Sequence, residues 1–265
     1  MTQRVEITDG IVVGSAGDRE LRADLFRPPS PPDGSRLPGV IFVHGGGWRT
    51  GDRQQLRGYG VLVGRQGYVG LCTEYRLIPE GTYPDNLYDV KAAIRWMRAN
   101  AEELNVDPDR IAIEGNSAGA HLALLAAGTG DVPELEGHGG HPDVSSAVQC
   151  VAAIYPPTLF SAGDPLPGSV PLLALVDGGG TAELARQASP LAHVTPSFPP
   201  TMLIHGTHDE LVPPKASLLM YEALVGAGVP AELHMVAEQP HAFDAAGPFG
   251  RQAADNMVHF FNRYL

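Results

Sequence analysis

The stretch RIAIEGNSAGAHLALLAA, residues 110–127, decides the fold. Its first part, IAIE, is a short apolar run of the kind that is buried in a sheet, and its last part, AHLALLAA, is made of strong helix formers. Between them GNSAG must turn the chain from strand to helix at once. Gly115 and Gly119 allow the sharp backbone turn and the close strand–helix approach that larger side chains would block. A serine at the centre of such a turn presents its hydroxyl at the edge of a sheet, beside a helix N-terminus that favours developing negative charge. Ser117 is therefore the candidate nucleophile.

About 70 residues upstream, PGVIFVHGGGW at 38–48 repeats the plan of an apolar run ending in a glycine-rich turn. Consecutive glycines let backbone N–H groups turn inward without a Cβ clash, which is how donors are aimed at an oxyanion. Gly46 and Gly47, with the N–H of Ala118 after the nucleophile, are the candidate oxyanion hole. His44 reads as a structural member of this loop. Trp48 has two readings, a wall of the substrate pocket or packing beneath the loop.

Outward from these motifs, strand and helix alternate. RVEITDGIVVG and ELRADLFRP, at 4–14 and 20–28, alternate polar and apolar as half-exposed antiparallel strands do, and a proline-rich turn at 28–38 follows. The runs VIFVH, YVGLCTEY, IAIEG, VQCVAAIY, TMLIH and AELHMV suit strands buried on both faces. Helical patterns fall at 53–66, 85–105, 117–128, 214–227 and 249–263. Such alternation predicts a doubly wound, mostly parallel sheet of about eight strands flanked by helices, in a single domain covering 1–265. One segment breaks the rhythm: 157–198 is rich in Pro, Gly and Ser, with one short helical pattern at TAELARQA, and reads as a short cap or lid insertion.

A serine at its free pKa needs a base. In this architecture the base comes from the loop after the final strand, in the chain order Ser, acid, His. Among the ten histidines, His241 in AEQPHAFD meets that condition, while His234 lies inside the strand and His259 inside the helix. The acid belongs in GTHDELVPP, after the preceding strand. Asp209 is the choice and Glu210 the alternative, the carboxylate serving to hold the imidazole's tautomer. The H-x-x-H spacings at 205–208 and 138–141 lack the helical i, i+4 spacing of zinc proteases, so no metal is expected.

Composition narrows the partners. A net charge of −12 repels nucleic acid and anionic membranes. The N-terminus MTQRVEITDGIVV has no apolar run of signal-peptide length, and no unbroken apolar segment approaches the roughly 18 residues of a membrane span. Cys72 and Cys150 sit in apolar strands and read as reduced, buried thiols, so the expected location is cytoplasmic. A homodimer is compatible with this reading.

The chain resembles the α/β-hydrolase fold, in the hormone-sensitive-lipase-like esterase group. More closely it resembles compact bacterial esterase/lipase proteins with HGGGW, such as the bifunctional feruloyl and acetyl-xylan esterase type. The likeness runs through LRADLFRP, HGGGWRTGDR, YRLIPEGTYPDNLYDVKAAIRWM, GNSAGAHLA, HGTHDELVP and PHAF. It implies an acyl-serine mechanism without a cofactor. The group also includes arylformamidases, lactone hydrolases and peptidase relatives. The expected function is therefore a serine carboxylic-ester hydrolase acting on small, short-chain acyl esters. The alternatives are an amide or formamide hydrolase or a lactonase using the same triad, and a non-catalytic binding module on the same fold.

Overall fold

The computed structural model describes residues 4–31, 33–130, 132–176 and 180–265. Pro32 of the proline-rich turn and residues 177–179 of the insertion lie outside them. Among the described residues ten strands form: β1 Glu6–Ala16, β2 Arg19–Arg27, β3 Leu37–Val43, β4 Val69–Thr73, β5 Val106–Asn116, β6 Cys150–Ile154, β7 Phe160–Ser161, β8 Val170–Pro171, β9 Thr201–Gly206 and β10 Ala231–Val236. The helices are α1 Arg57–Gly64, α2 Asp85–Ala99, α3 Ala101–Leu104, α4 Ala118–Gly128, α5 Ala182–Ala188, α6 Lys215–Gly226 and α7 Gly247–Tyr264.

Eight strands share one sheet in the order β1-β2-β4-β3-β5-β6-β9-β10. The first two strands run antiparallel and the rest parallel, as the hydropathy patterns predict. Pairing places β5, which carries the nucleophile turn, between β3, which carries the glycine loop, and β6. Two motifs some 70 residues apart thereby become neighbours at one sheet edge. Ligands of open α/β sheets bind at this edge, beyond the C-terminal ends of parallel strands.

Each face of the sheet is covered. On one side pack α2 through Leu87, Val90, Ile94 and Met97, α4 along nearly its whole surface, and α6 through Ala216, Met220 and Leu224. On the other pack α1 through Tyr59 and Val63 and α7 through Met257, Phe260 and Phe261. Each valine, leucine, isoleucine, methionine or phenylalanine among them, fully buried, contributes roughly 1.5–3 kcal/mol. The apolar surround of α4 explains why its sequence shows no polar stripe: it lies at the centre of the molecule. Both cysteines are buried and free.

Three local differences from the sequence reading have physical causes. The expected 85–105 helix is interrupted at Asn100, whose Nδ2 donates to the Trp96 carbonyl at 2.8 Å and competes with the helical ladder. The 53–66 helix begins as a 3₁₀ turn over Arg53–Leu56, capped by Asp52, and becomes α1 only at Arg57. AELHMV is not buried on both faces. As β10 it closes the sheet edge, pairs only with β9, and is half exposed.

The 157–198 segment holds a two-residue parallel pair, β7 with β8, and the short α5, capped by the Thr181 side chain. Bonds tie its ends down: Thr158 Oγ1 donates to Ala216 O at 2.8 Å and Tyr83 OH to Gln187 O at 3.0 Å. Among the described residues no helix is long and apolar enough to cross a membrane.

Candidate active site

Ser117 sits between β5 and α4 with φ 53° and ψ −118°. A β-carbon at Gly119 would fall inside the van der Waals surface of the Val43 carbonyl oxygen on β3, so only glycine permits this approach. Of the seven non-glycine residues with positive φ among the described residues, five are Trp48, Ser117, Tyr155, Glu238 and Ala242. All five lie on the loops that meet at this sheet edge. Such backbone strain costs on the order of 1–3 kcal/mol per residue and collects where function holds it in place.

The three residues singled out by the sequence come together. His241 Nε2 stands 2.9 Å from Ser117 Oγ, and His241 Nδ1 stands 2.6 Å from Asp209 Oδ2. Asp209 leaves β9 on a tight turn whose Leu211 and Val212 amides both donate to Oδ1 at 2.9 Å. Burial by itself would raise its carboxyl. Hydrogen bonds from His205, His241 and the Val212 amide overcome that and hold the group well below the usual carboxylate range. An anionic Asp209 keeps the proton of neutral His241 on Nδ1, leaving Nε2 free to accept from the serine. Glu210 is exposed.

The glycine loop approaches Ser117, the candidate nucleophile, from β3. A β-carbon at Gly45 would stand 3.3 Å from Ser117 Cβ and 2.9 Å from Asn116 O. Gly46, with φ 114°, folds the loop back so that its carbonyl accepts from Arg49 N at 3.2 Å and Thr50 N at 3.0 Å. Among the described residues the amides of Gly46, Gly47 and Ala118 donate to no carbonyl outside regular helix and strand ladders. His44 is buried, stacks on Tyr75 with ring centroids 4.4 Å apart, and donates Nδ1–H to Gly45 O at 2.7 Å. Burial holds its imidazole below the ordinary histidine range, so it braces the loop as a neutral ring.

Of the two readings of Trp48, packing beneath the loop fits its 3% exposure. Its Nε1–H donates to His121 Nδ1 at 3.2 Å, and its ring meets Phe160 of the insertion at 5.8 Å. His121, pushed down to about 4 by burial, donates Nε2–H to Ala188 O at 2.8 Å. One neutral histidine thus pins the glycine loop to the insertion. Trp48→Ala should cost about 3–5 kcal/mol of stability, read as a lowered denaturant midpoint. An unchanged midpoint would mean that the indole is not part of the core.

Of the cavities in the structure, two are of similar size. One, of ≈ 630 Å³, is walled by insertion residues including Phe160, Leu166, Ser189 and Leu191, and by none of the three site residues. The other, of ≈ 620 Å³, lies between α1 and the 242–251 segment and is lined by Tyr59, Leu62, Asn116, Tyr155 and Ala242. Asn116 and Ala242 are the chain neighbours of Ser117 and His241.

The sequence reading gave several groups no role in the site. His205, the last side chain of the TMLIH run, is fully buried behind Asp209, 3.2 Å from Oδ2, with Nδ1 2.7 Å from Ser217 Oγ. His208, its partner in the H-x-x-H spacing, is exposed. Tyr155 packs its ring on His241 at 4.5 Å. Glu114 is fully buried, and burial, reinforced by Asp244, pushes its carboxyl well above the usual range. For Glu114 and His205 the sequence signal was polarity inside apolar runs, IAIEG and TMLIH.

A family model described as BD-FAE matches residues 23–224. Esterase LipQ of Mycobacterium tuberculosis is 36% identical over 257 residues, covering 92% of this chain and 59% of LipQ. The chain spans about three-fifths of the length of this curated relative. Among solved structures, a truncated carbohydrate esterase from gut microbiota superposes with a TM-score of 0.85 at 25% identity, covering 99% of this chain and 97% of that one. The propionate-bound esterase 2 of Thermogutta terrifontis does so with a TM-score of 0.82 at 27% identity, covering 99% and 94%. That esterase has also been solved with butyrate bound and phosphonylated by cyclosarin. The eight-stranded sheet is that of the α/β-hydrolase fold.

Proposed function

The chain belongs to the BD-FAE family, and from that membership we propose that it is a serine carboxylic-ester hydrolase acting on short-chain acyl esters. The observation that carries the reading is the unbroken relay from Ser117 Oγ through His241 to Asp209, at 2.9 and 2.6 Å. His241 Nε2 takes the Ser117 proton as Oγ attacks the ester carbonyl. The N–H groups of Gly46, Gly47 and Ala118 hold the resulting oxyanion. His241 then returns the proton to the departing alcohol, and water, activated by the same base, releases the acid from the acyl-serine. Asp209 stabilises the imidazolium formed in each half. The two buried, free thiols fit a reducing compartment, and a cytoplasmic place of action is part of this proposal.

The short-acyl preference is supported by the neighbour solved with propionate and with butyrate bound. It is also supported by the modest insertion, which we read as a short cap. Each methylene buried gains about 0.8 kcal/mol, and carbons beyond the pocket's depth gain nothing. Across p-nitrophenyl esters, kcat/KM should peak at about two to six acyl carbons and fall beyond, without activation by a lipid interface. An optimum on long-chain esters or emulsified triglycerides would make the enzyme a lipase instead. Paired rates on an ester and its matching anilide test the ester assignment, which faster anilide cleavage would overturn.

A further inference from the structure

The base His241 belongs to neither helix nor strand. It lies between β10 and α7, on a segment whose residues Glu238 and Ala242 both take left-handed backbone conformations. Asp209 holds the imidazole from one side only. Three residues after the base, on a single 3₁₀ turn, Asp244 is 92% buried, its exposure being 8%. Its carboxylate accepts three hydrogen bonds from three other parts of the fold. Tyr59 OH on α1 donates to Oδ2 at 2.8 Å. Asn116 Nδ2, one residue before the nucleophile, also donates to Oδ2 at 2.8 Å. Tyr155 OH, at the end of β6, donates to Oδ1. Burial raises both tyrosine hydroxyls far above their ordinary range, so they remain protonated donors.

These contacts have one geometric consequence. Asn116 is covalently joined to Ser117, and Asp244 lies three residues from His241, so the Asn116–Asp244 bond ties nucleophile and base together independently of the bond between them. Tyr155 closes the same loop, because its ring lies on the His241 imidazole at 4.5 Å while its hydroxyl is on Asp244. Resting on the esterase reading, we propose that Asp244 is a positioning residue of the reaction, a buried carboxylate that sets the distance and angle of His241 to Ser117. It touches no reacting atom. Its contribution is to narrow the base's wandering, and a misplacement of about 1 Å can cost about 100-fold in rate.

The test compares Asp244→Asn, Asp244→Ala and Tyr155→Phe with the wild-type chain. Hydrolysis of p-nitrophenyl acetate is measured, and each rate is divided by the active sites titrated with a fluorophosphonate. Asparagine sets an amide where two donors converge, and alanine removes the anchor. Both should lower kcat per titrated site by about 10–100-fold with KM held within about threefold, the signature of geometry lost at the reacting atoms. Tyr155→Phe keeps the ring on His241 and loses one of the three bonds, so a drop of only a few-fold is expected. A purely structural carboxylate would lower the melting temperature and the number of titrated sites while leaving kcat per site unchanged, and that result overturns the proposal. So does a loss confined to KM. Should the alanine variant fail to accumulate folded, the asparagine and phenylalanine variants decide. Wild type that neither turns over nor labels would overturn the esterase reading and the positioning role together. Active wild type with unaffected Asp244 variants overturns the positioning role alone.

Discussion

Ser117→Ala is expected to lower kcat by roughly 10⁴–10⁶-fold with little change in fold or melting temperature, because the whole covalent route passes through one oxygen. The side chain is small and makes one hydrogen bond, to His241. Its removal leaves the backbone bonds of the turn, Ser117 N to Ile154 O at 2.9 Å and His121 N to Ser117 O at 3.0 Å, undisturbed. What remains should be the small rate that binding and oxyanion donors give to attack by water. Activity on p-nitrophenyl acetate, fluorophosphonate labelling and circular dichroism together check this. Substantial turnover, or labelling that persists in the alanine variant, would remove Ser117 from the mechanism.

His241→Ala should be nearly as damaging, since a serine without its base is no better a nucleophile than water. Asp209→Asn should be severe but milder, about 10³–10⁴-fold. The asparagine amide can occupy the carboxylate's place, yet it offers His241 Nδ1 a donor where an acceptor is needed and leaves His205 facing the same change. Glu210→Gln, on an exposed side chain one position along, should leave kcat within about twofold, as surface changes away from such features usually do. Single-turnover and steady-state rates on one ester series rank the three. A larger loss for Glu210→Gln than for Asp209→Asn would exchange their roles.

How much of this site the sequence showed depends on how local each feature is. The turn at Ser117 and the glycine loop each rest on a few consecutive residues whose backbone needs are special, and the acid and base follow in chain order. Ser117, Asp209 and His241 could therefore be named from motif and chain order. The cross-links that hold them are different. Asn116 and Asp244 are 128 positions apart, and Tyr59 and Asp244 are 185 apart. In the sequence Asp244 is one more acid near a helix start.

The sequence by itself determined the alternation of buried strands and amphipathic helices, the antiparallel entry strands, and the candidates for nucleophilic chemistry. Periodicity and turn chemistry act over a window of a few residues, and the chain carries them wherever it goes. Only the tertiary structure decided that Trp48 is buried against His121 and Phe160, that β10 is a half-exposed edge, and that a pocket lined by Asn116 and Ala242 lies between α1 and the 242–251 segment. It also decided that His205 stands behind the acid and Asp244 beside the base. Burial and hydrogen-bond partnership are properties of surfaces brought together by closure of the sheet. A side chain's role then follows from which distant residue the fold sets against it, and no local pattern encodes that meeting.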